Sequence, residues 1–239
     1  MRPADAATLA GGALAGASMP LAVAGHYSIA VRLLMLAYLC DVLDGWLARR
    51  YGGSTSEGLM LDRALDRVSQ VLAPLTLYTA WVSARLTPLE SVLLALYAGG
   101  IVAVAFWRLV HRIVWRLTHF AGLPLFVHAG VMLSSYIADS PVNPLILLAL
   151  LAASAAPIPY VRRLSKSSST PSPGVAPRAA AVLVLALLPY RNPVVILLGK
   201  LVLISLLLYA AVGALPPLLG VTPGPRSGES GRSTSHQLG

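Results

Sequence analysis

Four aspartates, Asp41, Asp44, Asp62 and Asp66, fall in the 26-residue stretch DVLDGWLARRYGGSTSEGLMLDRALD. The chain of 239 residues has nine acidic side chains, is 56% hydrophobic and carries only 11% charged residues. Acidic groups inside apolar helices are costly, so they mark an ion or substrate site with a partner. Four hard oxygen ligands suit a divalent cation such as magnesium, manganese or calcium.

The spacing supplies a geometry. Asp41, Asp44, Gly45 and Ala48 follow i, i+3, i+4, i+7, one face of a helix. Gly58, Asp62 and Asp66 follow i, i+4, i+8, again one face. Between them RRYGGSTSE is a turn-rich polar stretch that lets two helices run antiparallel. The four carboxylates are therefore expected to converge across a helix pair. Gly45 and Ala48 have almost no side chain and leave room for a ligand to approach the backbone. Arg49, one turn beyond Gly45, is suited to a phosphate or to one of the carboxylates.

These positions resemble the signature of the CDP-alcohol phosphotransferases, integral membrane enzymes of phospholipid synthesis. The match is Asp41-x-x-Asp44-Gly45-x-x-Ala48-Arg49, eight residues, then Gly58-x-x-x-Asp62-x-x-x-Asp66. The resemblance implies transfer of a phosphatidyl-type group (diacyl or archaeol) from a CDP-linked lipid to an alcohol, with release of CMP. It implies that Asp41, Asp44 and Asp62 hold metal, two ions of magnesium or manganese in all. Asp66 would contact the second ion and act as general base. It further implies that Gly45, Ala48, Arg49 and Gly58 serve the nucleotide, and that the enzyme is a homodimer. The family's first helix often opens Asn-x-x-Thr; here Asp5-x-x-Thr8 stands in its place, which makes Thr8 a nucleotide contact.

For the acceptor, Phe120-Ala121-Gly122-Leu123-Pro124 resembles the Phe-x-Gly-Leu-Pro segment of the phosphatidylserine and archaetidylserine synthases, and so points to L-serine. Those enzymes often carry Arg-Leu-Ala-Arg-Phe-Asn before it. Here Arg108 fits, but His111 replaces the second Arg and Ile113 the Asn, and Arg63 follows Asp62 where serine-type members commonly have Ser. Inositol phosphate and glycerol phosphate stay open as acceptors. Arg108 and Arg112, i and i+4 on one face, are read either as an anion pocket for the acceptor or lipid phosphate, or as flanking charge.

Composition sets the scaffold. A mean hydropathy of +0.74 predicts an all-α, polytopic membrane bundle. About eight apolar runs are expected as spanning helices, a six-helix family core plus two. They cover 6–25, 28–50, 57–84, 88–110, a run from His119, 144–161, 179–190 and 194–214. Residues 1–220 form the membrane domain and 221–239 a Gly/Ser/Pro-rich tail expected to be disordered. The net charge of +9 sits at helix ends, which argues for anionic headgroups and a phosphate-rich substrate and against nucleic acid. With the N-terminus inside, fourteen of the eighteen basic residues fall on or near the cytoplasmic side and four on the other. The site would then open to the cytoplasm of a cell-membrane protein. The single cysteine, Cys40, excludes an internal disulfide. Gly12 and Gly16 are expected to form a close-packing face on the first helix. His128 reads as a satisfied bundle histidine. A divalent cation transporter is the rival class, but acidic residues on further helices and an inverted repeat, which it would need, are not visible.

Overall fold

The computed structural model describes residues 2–51, 56–114, 122–156 and 175–213. Among them every regular element is helical: α1 (Pro3–Val23), α2 (Tyr27–Arg50), α3 (Ser56–Arg67), α4 (Ala73–Val82), α5 (Pro88–Val114), α6 (Leu125–Ile137), α7 (Pro144–Ala155), α8 (Val175–Leu187) and α9 (Pro193–Val212). A π-helical turn, Val68–Leu72, joins α3 to α4 without a break, so the two make one rod. Eight rods result, in the order the apolar runs predicted. The proposed tail, 221–239, and the Ser/Pro-rich stretch 157–174 lie outside the described residues.

Helix starts follow local chemistry. Asn143 and Asn192 cap α7 and α9, each accepting a backbone N–H at 2.9 Å two residues on. Proline sits in the first turn of both, where its missing N–H has no consequence. Thr87 and Glu90 bond reciprocally at the head of α5, at 2.9 and 3.3 Å, a capping box. The run expected to begin at His119 becomes helical only at Leu125, because Pro124 is extended and Gly122 holds φ +100°.

Three helices, Pro3–Val23, Pro88–Val110 and Pro193–Val212, are long and apolar enough to cross a membrane; α6, α7 and the apolar part of α8 are shorter. Apolar side chains cover the outside of the last two rods, with Leu187 72% and Val194 64% exposed. A water-facing helix would present polar groups there. Inside, Tyr78, Tyr97, Ile101, Leu123, Met132 and Leu147 join α4 to α7 in one apolar cluster. Ala15, Val31, Leu34, Ala37 and Leu77 join α1, α2 and α4 in another.

Small residues let α1 approach two helices at once. A Cβ on Gly11 would meet Cys40 Cβ at 3.0 Å, and one on Gly12 would meet Leu65 Cδ2 at 2.6 Å. Gly16 has nothing within 4 Å, so the packing pair is Gly11 and Gly12, not the expected Gly12 and Gly16. Gly11 faces α2 and Gly12 faces α3.

A buried polar chain ties α5, α6 and α7. Arg108 Nη1 donates to Leu123 O at 3.0 Å and Nη2 donates to Ser154 O. Ser154 Oγ donates to Leu123 O at 3.1 Å, so it accepts from His128 Nε2 at 2.7 Å. His128 Nδ1 then accepts the Tyr97 hydroxyl at 3.0 Å. His128 is the satisfied bundle histidine that its apolar setting predicted. Gly122 closes the chain: a Cβ there would lie 2.3 Å from Ser154 O, at a φ that only glycine adopts freely. Gly122→Ala should therefore destabilise the protein by more than about 1 kcal/mol. Gly16→Ala should leave it unchanged or stabilise it by up to about 1 kcal/mol. Thermal melts of the detergent-solubilised variants check the pair, and equal melting points would refute the contrast.

Candidate active site

The C-terminal half of α2 carries Asp41, Asp44, Gly45, Ala48 and Arg49, and α3 carries Gly58, Asp62 and Asp66. Folding places one carboxylate oxygen from each of Asp41, Asp62 and Asp66 within 4.8 Å of the others. Asp44 faces the same cleft but is 8% exposed, and its Oδ2 accepts the Thr8 hydroxyl at 2.7 Å. The four acids thus converge as expected, in the form of a trio plus one tethered member. The cleft is open to solvent, spans about 240 Å³ including that open space, and is lined by all four aspartates, by Leu65 and Ser69, and by Thr8, Gly11 and Gly12 of α1.

Helix α1 thus forms a wall of the site. Thr8 reaches the cleft through its bond to Asp44. Asp5, at the position where the resembling family often has Asn, accepts the Arg2 backbone N–H at 3.0 Å and so serves its own helix end. Gly12, read from sequence only as a packing residue, and Gly11, which the spacing did not single out, both line the cleft.

The two acid-bearing helices are locked in register by a bond that no spacing rule reveals. Tyr38, three residues before Asp41, donates its hydroxyl to Ser69 O at 3.0 Å. Ser69 lies in the π turn, where the widened ladder frees carbonyls from their usual i+4 partners. The turn starts two residues after Asp66, so it brings Ser69 to the cleft beside that carboxylate.

Gly45 is open on its outer side, where the nearest side-chain atom to a built Cβ is Arg49 Nη1 at 3.5 Å. The Arg49 guanidinium lies over that glycine while staying exposed. Ala48 is half-buried on the same helix face and Gly58 is buried on α3. Arg108 departs from its expected role. It is 6% exposed, does not line the cleft, and spends its guanidinium on two backbone carbonyls. The side chain of Arg112 lies outside the described residues.

Residues 1–157, about two thirds of the chain, match the family model of CDP-alcohol phosphatidyltransferases. The chain belongs to that family. The matched span runs from α1 past the end of α7, so α8 and α9 lie beyond it. The chain is also similar to the archaetidylinositol phosphate synthase of Aeropyrum pernix, 35% identical over 95 residues. That stretch is 40% of this chain and 46% of the relative, so the match spans about half the relative's length. The family is one of phosphotransferases of the CDP-alcohol type that work with divalent metal ions.

The residues fit such an ion. Carboxylates this close repel one another, and a divalent cation is the partner that reverses the sign of that interaction. Asp41, Asp62 and Asp66 would hold it, with Asp44 beside them.

Removing the Tyr38 hydroxyl tests the register lock. Tyr38→Phe should cost about 1 kcal/mol of stability, because Ser69 O loses its donor. It should also lower the affinity for manganese, read by titration calorimetry. Unchanged manganese affinity would mean that the carboxylates are held by other contacts.

Proposed function

We propose that this protein transfers a phosphatidyl-type group from a CDP-linked lipid to a phosphorylated polyol of the inositol phosphate kind, releasing CMP. The observation that carries the transfer reaction is the Asp41–Asp62–Asp66 cluster, three oxygens within 4.8 Å on the two helices that bear the family signature. The choice of acceptor leans on the printed activity of the Aeropyrum pernix relative and on Arg63, which stands where serine-type members commonly have Ser. L-serine is the second reading, favoured by the Phe120–Pro124 segment. Against it, Arg108 is engaged with Leu123 O in that very segment.

A bound divalent ion would neutralise charge on the pyrophosphate of the donor. The chain's own groups do the rest. Gly45 and Ala48 leave backbone open for the cytidine, and Arg49 bonds a phosphate oxygen as it swings off Gly45. Asp66 accepts the proton of the acceptor hydroxyl as that oxygen attacks the lipid-linked phosphorus. A new P–O bond to the acceptor forms, the P–O bond to CMP breaks, and CMP leaves with the pair of electrons. Asp44 is held in place by Thr8 so that its second oxygen stays turned to the cleft.

The eight rods cross the cell membrane with the N-terminus inside, in keeping with the charge bias, and the cleft opens to the cytoplasm where soluble substrates arrive. The assembly is a homodimer, as the family resemblance implies.

Purified protein with CDP-diacylglycerol or CDP-archaeol and manganese should release CMP when inositol phosphate is added. Release with L-serine alone would replace the acceptor, and release with none of inositol phosphate, glycerol phosphate or serine would refute the activity. Asp66→Asn should lower kcat by about 10²- to 10⁴-fold while CMP still protects the protein from heat. Full turnover in that variant would remove Asp66 from the role of base.

A further inference from the structure

Arg67 directly follows Asp66 and closes α3. It is 9% exposed, and its Nε is buried with no hydrogen-bond acceptor among the described residues. The ion pair found among those residues joins Arg85 to Asp139, so no carboxylate of the described residues lies within pairing distance of Arg67. A guanidinium stays charged at any pH a protein meets and offers five donors in a rigid planar fork. The Asp66 carboxylate beside it supports its charge but makes no ion pair with it, and a buried guanidinium nitrogen left without an acceptor is costly. Its persistence here calls for an acceptor that arrives from outside.

Geometry says what that acceptor is. Leu65 packs against Gly12 and so marks the face of α3 turned to α1. Arg67, two residues on, points about 200° round the helix from Leu65. Besides α1 and the π turn, α3 touches α5. The arginine face is thus turned toward α5, flanked on one side by the Asp62–Asp66 face. Arg63, one turn earlier, lies on the same stripe and is half-buried. A basic stripe next to an acidic one, both in an apolar bundle, suits a ligand that is itself anionic beside a bound cation.

We infer that Arg67 is a phosphate-binding residue at the edge of the carboxylate cleft, its guanidinium gripping two oxygens of a phosphate that enters with a substrate. The phosphate has two sources under the activity proposed above, on which this part of the inference rests. One is the phosphate already on the acceptor alcohol, and the other is the pyrophosphate of the CDP-linked donor. Phosphate binding itself requires no turnover and is testable apart from that activity.

The test uses the full chain in lipid nanodiscs, as wild type, Arg67→Met and Arg67→Lys. Without ligand, Arg67→Met should melt within a few degrees of wild type, because the guanidinium makes no hydrogen bond or ion pair among the described residues. A marked fall in melting point, restored by Lys, would overturn the inference in favour of a structural arginine. Inorganic phosphate should protect wild type from heat, with binding weakened about tenfold or more in Arg67→Met and less in Arg67→Lys. Equal protection in all three, or none in wild type by either inorganic phosphate or CDP-diacylglycerol, would also overturn it. In CMP-release assays, a raised KM for inositol phosphate alone assigns the acceptor's phosphate, and a raised KM for CDP-diacylglycerol alone assigns the donor's. Arg67-dependent phosphate protection in a protein that releases no CMP would support this inference and sink the proposed activity.

Discussion

Carboxylates that must sit close together in an apolar bundle impose the main constraint on this molecule. Two like charges about 4 Å apart repel by about 4 kcal/mol at an effective dielectric constant near 20, and far less in water. The cluster of Asp41, Asp62 and Asp66 contains three such pairs. Left to itself the helix pair would splay. It is held by contacts at several heights: Gly11 against Cys40 and Gly12 against Leu65, the Tyr38 hydroxyl on Ser69 O, and Thr8 on Asp44. Two of them tie α1 to α2, one ties α1 to α3 and one ties α2 to the π turn, so no one helix can retreat alone. The repulsion that remains is what a divalent cation would relieve, so the same geometry that sets the carboxylates against one another suits them to such an ion.

The far half of the bundle solves a different problem with the same economy of polar groups. Helices α5, α6 and α7 meet around Arg108, Leu123, His128 and Ser154, where each hydrogen-bond direction is fixed by the next. Such a chain is costly when broken and rigid when complete, because a low dielectric strengthens each bond and penalises each unmade one. The helices beyond the family match continue the packing outward. α8 lies against α2, where Arg32 stacks over Tyr190 at 6.0 Å. α9 lies against α6, where Gly199 meets the Ala138 backbone and Gly130 meets Leu206. The added pair therefore backs one acid-bearing helix and one network helix while leaving the cleft itself to α1, α2 and α3.

The sequence made the architecture legible because hydropathy and turn residues are local signals, and so are the i+3 and i+4 spacings that put Asp41 with Asp44 and Asp62 with Asp66. What it hid is non-local. Tyr38 lies in an apolar run and nothing in its neighbours says that a carbonyl of the π turn waits for it. The π turn depends on how α3 and α4 pack, and VSQVL carries no breaker to announce it. Gly16 has the right spacing for a packing face but points where no helix arrives, while Gly11, off that spacing, meets Cys40 and Ala37 of α2. Spacing names the faces of a helix; only the neighbours decide which face is used.

Arg108 and Arg67 show how far that point reaches. Both are buried arginines on helices in apolar surroundings, and from the sequence Arg108 had the stronger claim to an anion. Position within the fold reverses the order. Arg108 lies beside the bend at Gly122–Leu123 and the last turn of α7, where chain ends leave carbonyl oxygens without N–H partners, and two of them take its guanidinium. Arg67 sits inside a rod that runs unbroken through the π turn into α4, and Ser69 O, the carbonyl seen to take an outside donor there, is bonded by Tyr38. An arginine near helix ends finds backbone acceptors and becomes structure. Arg67, placed inside its rod, finds the one carbonyl that the adjoining π turn is seen to offer already taken, which is the ground for the ligand role inferred for it.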